Sequence, residues 1–179
     1  MKVFKIWHDV DNYRTCFLED NSIEDLINEK VNNGIRLDEI GNITFKYDDE
    51  TNLPIGDICK CWGCSAYIIN DKCYKVFESI SEINAQYFTV GQNFIILNNL
   101  TVLSDLNLEK TEFRYFEDDI IGIKKYSFKK TDLPLLFQIK LPSGIVEMDY
   151  FVTEEFIKIV EENDLKGFLF EEVWDSEKE

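Results

Sequence analysis

Histidine is almost missing from this chain: His8 is the only one in 179 residues. Catalysis by a nucleophile and an imidazole base therefore has a single candidate base. His8 lies in a strand-like run between Trp7 and Asp9. Its expected role is that of a satisfied or exposed strand histidine, and a Cys–His pair would require the fold to bring a cysteine to it. No helical His-Glu motif occurs, and no glycine-rich phosphate loop. The fragment Gly122-Ile123-Lys124-Lys125 lacks the P-loop spacing. No apolar run approaches the ~20 residues that span a bilayer. Excess positive charge is also absent. The net charge is −16, which opposes attraction to nucleic acid or to anionic lipid, both polyanions. The opening Met1-Lys2-Val3-Phe4-Lys5 is broken by charge too early for a signal peptide, so a cytoplasmic location is expected.

What is present is an ordinary globular composition. Hydrophobic residues make up 45 % and charged residues 30 %, with 14 Phe and 8 Tyr. A chain of this length buries roughly 70 % of its unfolded surface and needs no disulfide or metal for stability. Core packing accounts for the aromatic residues better than base stacking, which would also need a basic groove. The acidic residues are unevenly placed. From Glu147 to Glu179 there are 12 against Lys158, Lys166 and Lys178, a net of −9. Lys124, Lys125, Lys129, Lys130 and Lys140 precede them. A one-sided field of this kind steers a partner of opposite charge.

Apolar periodicity places the elements. Residues 2–8 and 15–18 are expected strands. A helix is expected from Ser22, with Asp25 completing a capping box and Gly34 ending it. Ile43, Phe45 and Tyr47 alternate as a strand. Residues 51–65 lack a period and are expected to be a loop, dividing an N-terminal lobe (1–52) from the remainder (53–179). That remainder holds an internal similarity: residues 67–78 align without gaps with 150–161. Each copy runs from a short strand to a capping residue, Asn70 or Thr153, then an acidic helix start and an aromatic strand. The units span 66–90 and 149–173. Further strands are expected at 93–97, 113–116, 120–123 and 135–140, with a turn at 142–144. The fold class is α+β, a largely antiparallel sheet with a duplicated strand–helix–strand unit in one domain overall.

Two groups of residues carry the candidate chemistry. Cys59, Cys61, Cys64 and Cys73 place four thiols in a short span. They could hold a zinc ion, remain ordinary reduced thiols, or act in redox chemistry through Cys61 and Cys64. The number of cysteines is odd, five with Cys16, which argues against a disulfide framework. The second group is acidic: Glu154, Glu155, Glu161, Glu162, Glu171 and Glu172 are the candidate partner-binding residues. Carboxylate pairs such as Asp9/Asp11, Asp48/Asp49, Asp118/Asp119 and Glu154/Glu155 are read as surface charge, since 35 acidic residues supply pairs by chance.

The C-terminal segment 151–174, with Thr153-Glu154 opening a helix and Leu165-Lys166-Gly167-Phe168-Leu169-Phe170 opening a strand, resembles the closing segment of the "immunity protein eleven" family of bacterial polymorphic toxin systems. Asn93-Phe94-Ile95-Ile96-Leu97-Asn98-Asn99-Leu100 is similar to that family's central strand. The similarity covers residues 50–175, although the family's glycine-rich loop is replaced here by the cysteine-bearing 53–69. The resemblance implies a cytoplasmic, non-catalytic protein that binds and neutralises a cognate toxin, a basic one if charge guides the encounter. It implies no catalytic residue and no cofactor. The alternative is a small zinc- or thiol-dependent binding protein built on the cysteines.

Overall fold

The architecture follows from strands that are apolar on both faces. In the computed structural model, residues 1–20, 24–31, 33–91, 93–129 and 132–178 are described. Thirteen strands and three helices are present among them: β1 (Lys2–His8), β2 (Cys16–Leu18), α1 (Glu24–Lys30), β3 (Phe45–Tyr47), β4 (Ile58–Trp62), β5 (Tyr67–Ile69), α2 (Asp71–Glu78), β6 (Ala85–Val90), β7 (Phe94–Asn99), β8 (Val102–Leu103), β9 (Glu112–Phe116), β10 (Asp119–Lys125), β11 (Leu136–Ile139), β12 (Phe151–Thr153), α3 (Glu154–Glu162) and β13 (Phe168–Asp175). The class is mixed α and β, dominated by strands in largely antiparallel sheets. Ser22, Ile23, Asn32 and Lys130, and the side chains of Asp25 and Leu26, lie outside the description, and the expected capping box with them.

A six-stranded sheet has the order β3-β2-β4-β5-β7-β6, and a five-stranded sheet the order β13-β1-β12-β11-β8; β9 and β10 form a separate hairpin. Pairing is antiparallel except between β2 and β4 and between β8 and β11. The expected loop at 51–65 is corrected here, because β4 occupies 58–62 at the centre of the six-stranded sheet. Its sequence, Ile58-Cys59-Lys60-Cys61-Trp62, shows no binary alternation because both of its faces are covered. The first 52 residues supply β1 to the middle of one sheet and β2 and β3 to the end of the other.

The two similar segments take the same path. β5 and β6 both pair antiparallel with β7, so they run parallel to each other with α2 as their crossover. β12 and β13 both pair antiparallel with β1, and α3 is the crossover. Asn70 caps α2 by accepting from the Cys73 backbone N–H at 3.0 Å. Thr153 stands at the equivalent position, but its hydroxyl makes no capping bond and is buried without a partner.

Alternation along the strands builds three cores. Ile58, Tyr67, Ile69, Ile95 and Leu97 turn toward α2 and α3, where Cys73, Phe77, Phe156 and Val160 join Ile6, Tyr150 and Val152 of the second sheet. The Phe77 and Phe156 rings are 5.2 Å apart, and Tyr67 stacks on Tyr150 at 4.6 Å. Each such aromatic contributes roughly 2 kcal/mol by leaving water. The opposite face of the six-stranded sheet, with Cys59, Cys61, Ile68 and Ile96, packs on Ile27 of α1 and on Val31 just after it. Val3, Phe137, Phe151 and Trp174 form a third cluster beneath the β9–β10 hairpin.

Two glycines let these layers approach. Gly167 has φ +89°, and a Cβ there would stand 2.9 Å from the Ile58 carbonyl oxygen and 3.4 Å from Gly56 Cα. Backbone meets backbone at that point, so no side chain fits. Asp57 secures the same junction. Its buried carboxylate accepts from Asn70 Nδ2 and from the Lys166 backbone N–H, both at 2.7 Å, and lies 3.5 Å from Lys72 Nζ. The motif Leu165-x-Gly167-Phe168-x-Phe170 is therefore explained by packing: Leu165, Phe168 and Phe170 line the main core around this close approach.

Candidate functional site

The four expected zinc ligands do not assemble. Cys73 lies on α2 in the core shared with α3, whereas Cys59, Cys61 and Cys64 lie on the other face of the six-stranded sheet. This corrects the expected ligand set, and the reason is strand geometry: Cys59 and Cys61, two apart on β4, share the face opposite to Ile58. In place of Cys73 the fold brings up Cys16, whose strand lies parallel to β4 with Cys16 opposite Cys61. Cys59 donates its thiol hydrogen bond to Cys16 Sγ at 2.7 Å. Cys61 in turn makes side-chain hydrogen bonds with Cys16 and with Cys64. The four sulfurs thus form a chain of contacts in the order Cys59, Cys16, Cys61, Cys64, and every one is buried and outside any disulfide.

The spacing of these sulfurs differs from that around a bound zinc ion. Sulfurs around a tetrahedral zinc with ~2.3 Å bonds stand about 3.8 Å apart, and Cys59 and Cys16 are much closer. Among the described residues, no group of three or more histidine, cysteine or acidic side chains is disposed to hold a metal ion. The proximity of the thiols alters their acidity. Hydrogen bonds from Cys16 and then Cys64 hold the Cys61 thiol well below the ordinary range, despite its burial. Hydrogen bonding to Cys59 and Cys61, with burial, pushes Cys16 far above it.

The six acidic candidates divide. Glu154, Glu155, Glu161 and Glu162 are exposed along the outer flank of α3, since Phe156 and Val160 occupy its buried face. Glu171 alternates with Phe168 and Phe170 and so points away from α3, where it accepts from Trp7 Nε1 at 2.8 Å. Glu172 is held by Lys2 at 2.8 Å and Lys178 at 2.6 Å. The fold therefore leaves the helical four on a common flank and engages the strand pair with its own neighbours. The carboxylates at 11, 49, 118, 119, 154 and 155 are exposed, as surface charge requires.

Periodicity did not mark a further surface. The β9–β10 hairpin turns at Glu117, whose φ is +53°, and its tip exposes Tyr115, Phe116 and Ile121 at 61 %, 67 % and 60 %. Glu117, Asp118 and Asp119 lie between these residues, all exposed. Three large apolar side chains in water within one short hairpin are unusual for a monomer surface. The available signal was Tyr115-Phe116 directly before three acids, which reads equally well as a buried strand end.

His8 differs from expectation. It is neither exposed nor satisfied: it is buried opposite Phe168, and neither ring nitrogen has a hydrogen-bond partner. Burial lowers its pKa below the usual 6.5, against a smaller opposing effect of Asp9. The unfolded chain consequently takes up a proton that the folded one resists. Stability is complete above the unfolded pKa and declines as pH falls from 6.5, by at most about 1.4 kcal/mol per pH unit for this one proton. Urea denaturation between pH 7 and 5 should show this slope, and His8→Leu should flatten it. Between the sheets, Asp149 bridges Lys5 of β1 and Lys60 of β4. Burial pushes its carboxyl upward, but attraction to Lys60 and hydrogen bonds from Lys5 and Lys60 outweigh this and hold it below the ordinary range.

No protein-family model matches the chain, and no curated protein matches it. Among the described residues, no helix is long and apolar enough to cross a membrane.

Proposed function

We propose that this is a non-catalytic binding protein of the cytoplasm that neutralises a cognate bacterial toxin, as the resemblance of its C-terminal segment to the "immunity protein eleven" family implies. The observation that carries the reading is the hairpin tip, where exposed Tyr115, Phe116 and Ile121 surround Glu117, Asp118 and Asp119. Tight interfaces are anchored by a few aromatic side chains within a polar rim, and the rim here is acidic. The partner that suits it is a basic protein, and a nucleic-acid-cleaving toxin has that chemistry. The net charge of −16 and the four glutamates on the α3 flank support the same partner. They would act at a distance by steering the encounter, without forming the contact itself. The common strand–helix–strand path of 66–90 and 149–173 supports a duplicated unit, with the recognition hairpin inserted between the copies.

Association kinetics with the toxin domain encoded by an adjoining reading frame would test the steering. Glu161→Lys together with Glu162→Lys should slow association about ten-fold at low salt and weaken its salt dependence. The fold should be unharmed, because these residues lie in the last turn of α3, where positive charge suits the helix dipole. Unaltered association would remove the flank from the interface and from its field.

A further inference from the structure

The four-sulfur chain has chemistry that the binding role does not use. Its members come from β2, β4 and the turn into β5. Cys16 occupies the middle, touching Cys59 on one side at 2.7 Å and Cys61 on the other. Cys61 and Cys64 flank Trp62, the last residue of β4, and Gly63, both exposed, Trp62 at 69 %. Gly63 adopts φ +91°, and the nearest atoms to a Cβ there would be those of the Glu24 carboxylate at the start of α1. The chain of thiols therefore leads from beneath an exposed turn into the interior. Cys73 is excluded from it by the thickness of the sheet.

We infer that Cys16, Cys59, Cys61 and Cys64 form a site of reversible thiol oxidation by a small hydroperoxide, with a Cys16–Cys59 disulfide as its oxidised state. Cys61, which lies opposite Cys16 in the β2–β4 pairing and next to exposed Trp62 and Gly63, is the nucleophile. Its thiolate attacks the terminal peroxide oxygen. The O–O bond breaks, Cys61 becomes a sulfenic acid, and the departing alkoxide takes the Cys16 proton to leave as alcohol. The Cys16 thiolate attacks the sulfenic sulfur and expels hydroxide, giving a Cys16–Cys61 disulfide. Hydroxide takes the Cys59 proton to form water. The Cys59 thiolate then attacks Cys16 Sγ, and Cys61 leaves as the thiolate it began as. In sum, two thiols and one hydroperoxide give one disulfide, one alcohol and one water. The central position of Cys16, in contact with both the sulfur it leaves and the sulfur it joins, is what the exchange requires. The product ties β2 to β4 and so fastens the N-terminal strands to the six-stranded sheet.

The sequence makes the pairing readable. Trypsin cuts after Arg14, Lys60 and Lys72, so Cys16, Cys59 and Cys73 fall in separate peptides and Cys61 and Cys64 share another. Reduced full-length protein is treated with hydrogen peroxide under native conditions, alkylated in denaturant and mapped by mass. The expected product is a peptide 15–30 joined to peptide 47–60, two hydrogens lighter than the pair, released by dithiothreitol, with Cys73 alkylated. Under the same treatment Cys16→Ser combined with Cys64→Ser should accumulate a sulfenic acid on Cys61 that dimedone traps. Three results would overturn the assignment: a Cys61–Cys64 disulfide as the only stable product, all five thiols alkylated after exposure, or purified protein that retains one zinc per chain and resists oxidation until it is chelated. The wild-type map decides the matter even where a variant fails to fold.

Discussion

Asp57→Ala is expected to lower the unfolding free energy by about 3 kcal/mol. The carboxylate is buried and accepts two hydrogen bonds at 2.7 Å, from Asn70 Nδ2 and the Lys166 backbone N–H. Hydrogen bonds to a charged group are each worth about 1.5–3 kcal/mol. Their loss also orphans the amide of Asn70, whose own oxygen caps α2. Lys72, 3.5 Å away, keeps partial compensation through its bond to the Asp164 carbonyl at 2.7 Å. The effect should appear as a lower urea midpoint with unchanged slope. Lys75→Ala, which removes only an exposed ion pair with Asp71, should change the midpoint little, because exposed pairs are worth at most about 1 kcal/mol. Equal effects of the two substitutions would show that Asp57 is not the fastening of the β4, α2 and α3–β13 junction.

In the proposed toxin complex, Phe116→Ala should cost about 2 kcal/mol of binding free energy, roughly thirty-fold in affinity, and act through faster dissociation. At 67 % exposure the ring contributes little to the fold, so stability should shift by less than about 0.5 kcal/mol. Neutralising its acidic neighbours with Asp118→Asn and Asp119→Asn should act differently, reducing the association rate and its salt sensitivity. The two signatures separate an anchor from a steering charge. A Phe116→Ala protein that binds its partner as the parent does would place the interface elsewhere.

The difference between what the sequence disclosed and what it concealed follows from burial on one face or two. β1, β3 and the helices α2 and α3 are legible because apolar and polar positions recur at a fixed period, and β7 because Phe94-Ile95-Ile96-Leu97 is an unbroken apolar run. β4 is not: both of its faces are covered, and its cysteines, glycine-flanked and irregular, read as a loop. The misplaced loop carried the cysteine error with it. Once β4 is a strand, Cys59 and Cys61 must share a face, and α2, which bears Cys73, must lie on the other. Cys16 could not be nominated, since it is 43 residues from Cys59 and only strand pairing makes them neighbours. The acidic flank of α3 was legible from helical spacing alone, but the engagement of Glu171 and Glu172 by Trp7, Lys2 and Lys178 depends on a chain end returning to its beginning. Exposure of Tyr115 and Phe116 depends on the hairpin lacking a third strand, which no local pattern encodes.

The proposed function is tested most directly by titrating the purified protein into a basic toxin domain from an adjoining reading frame, should one be encoded there, following both complex formation and toxin activity as salt is raised. The account predicts a one-to-one complex whose affinity falls with salt and whose formation silences the toxin in proportion to occupancy. A toxin that stays active while saturated, or one that is silenced only catalytically by traces of this protein, would contradict it.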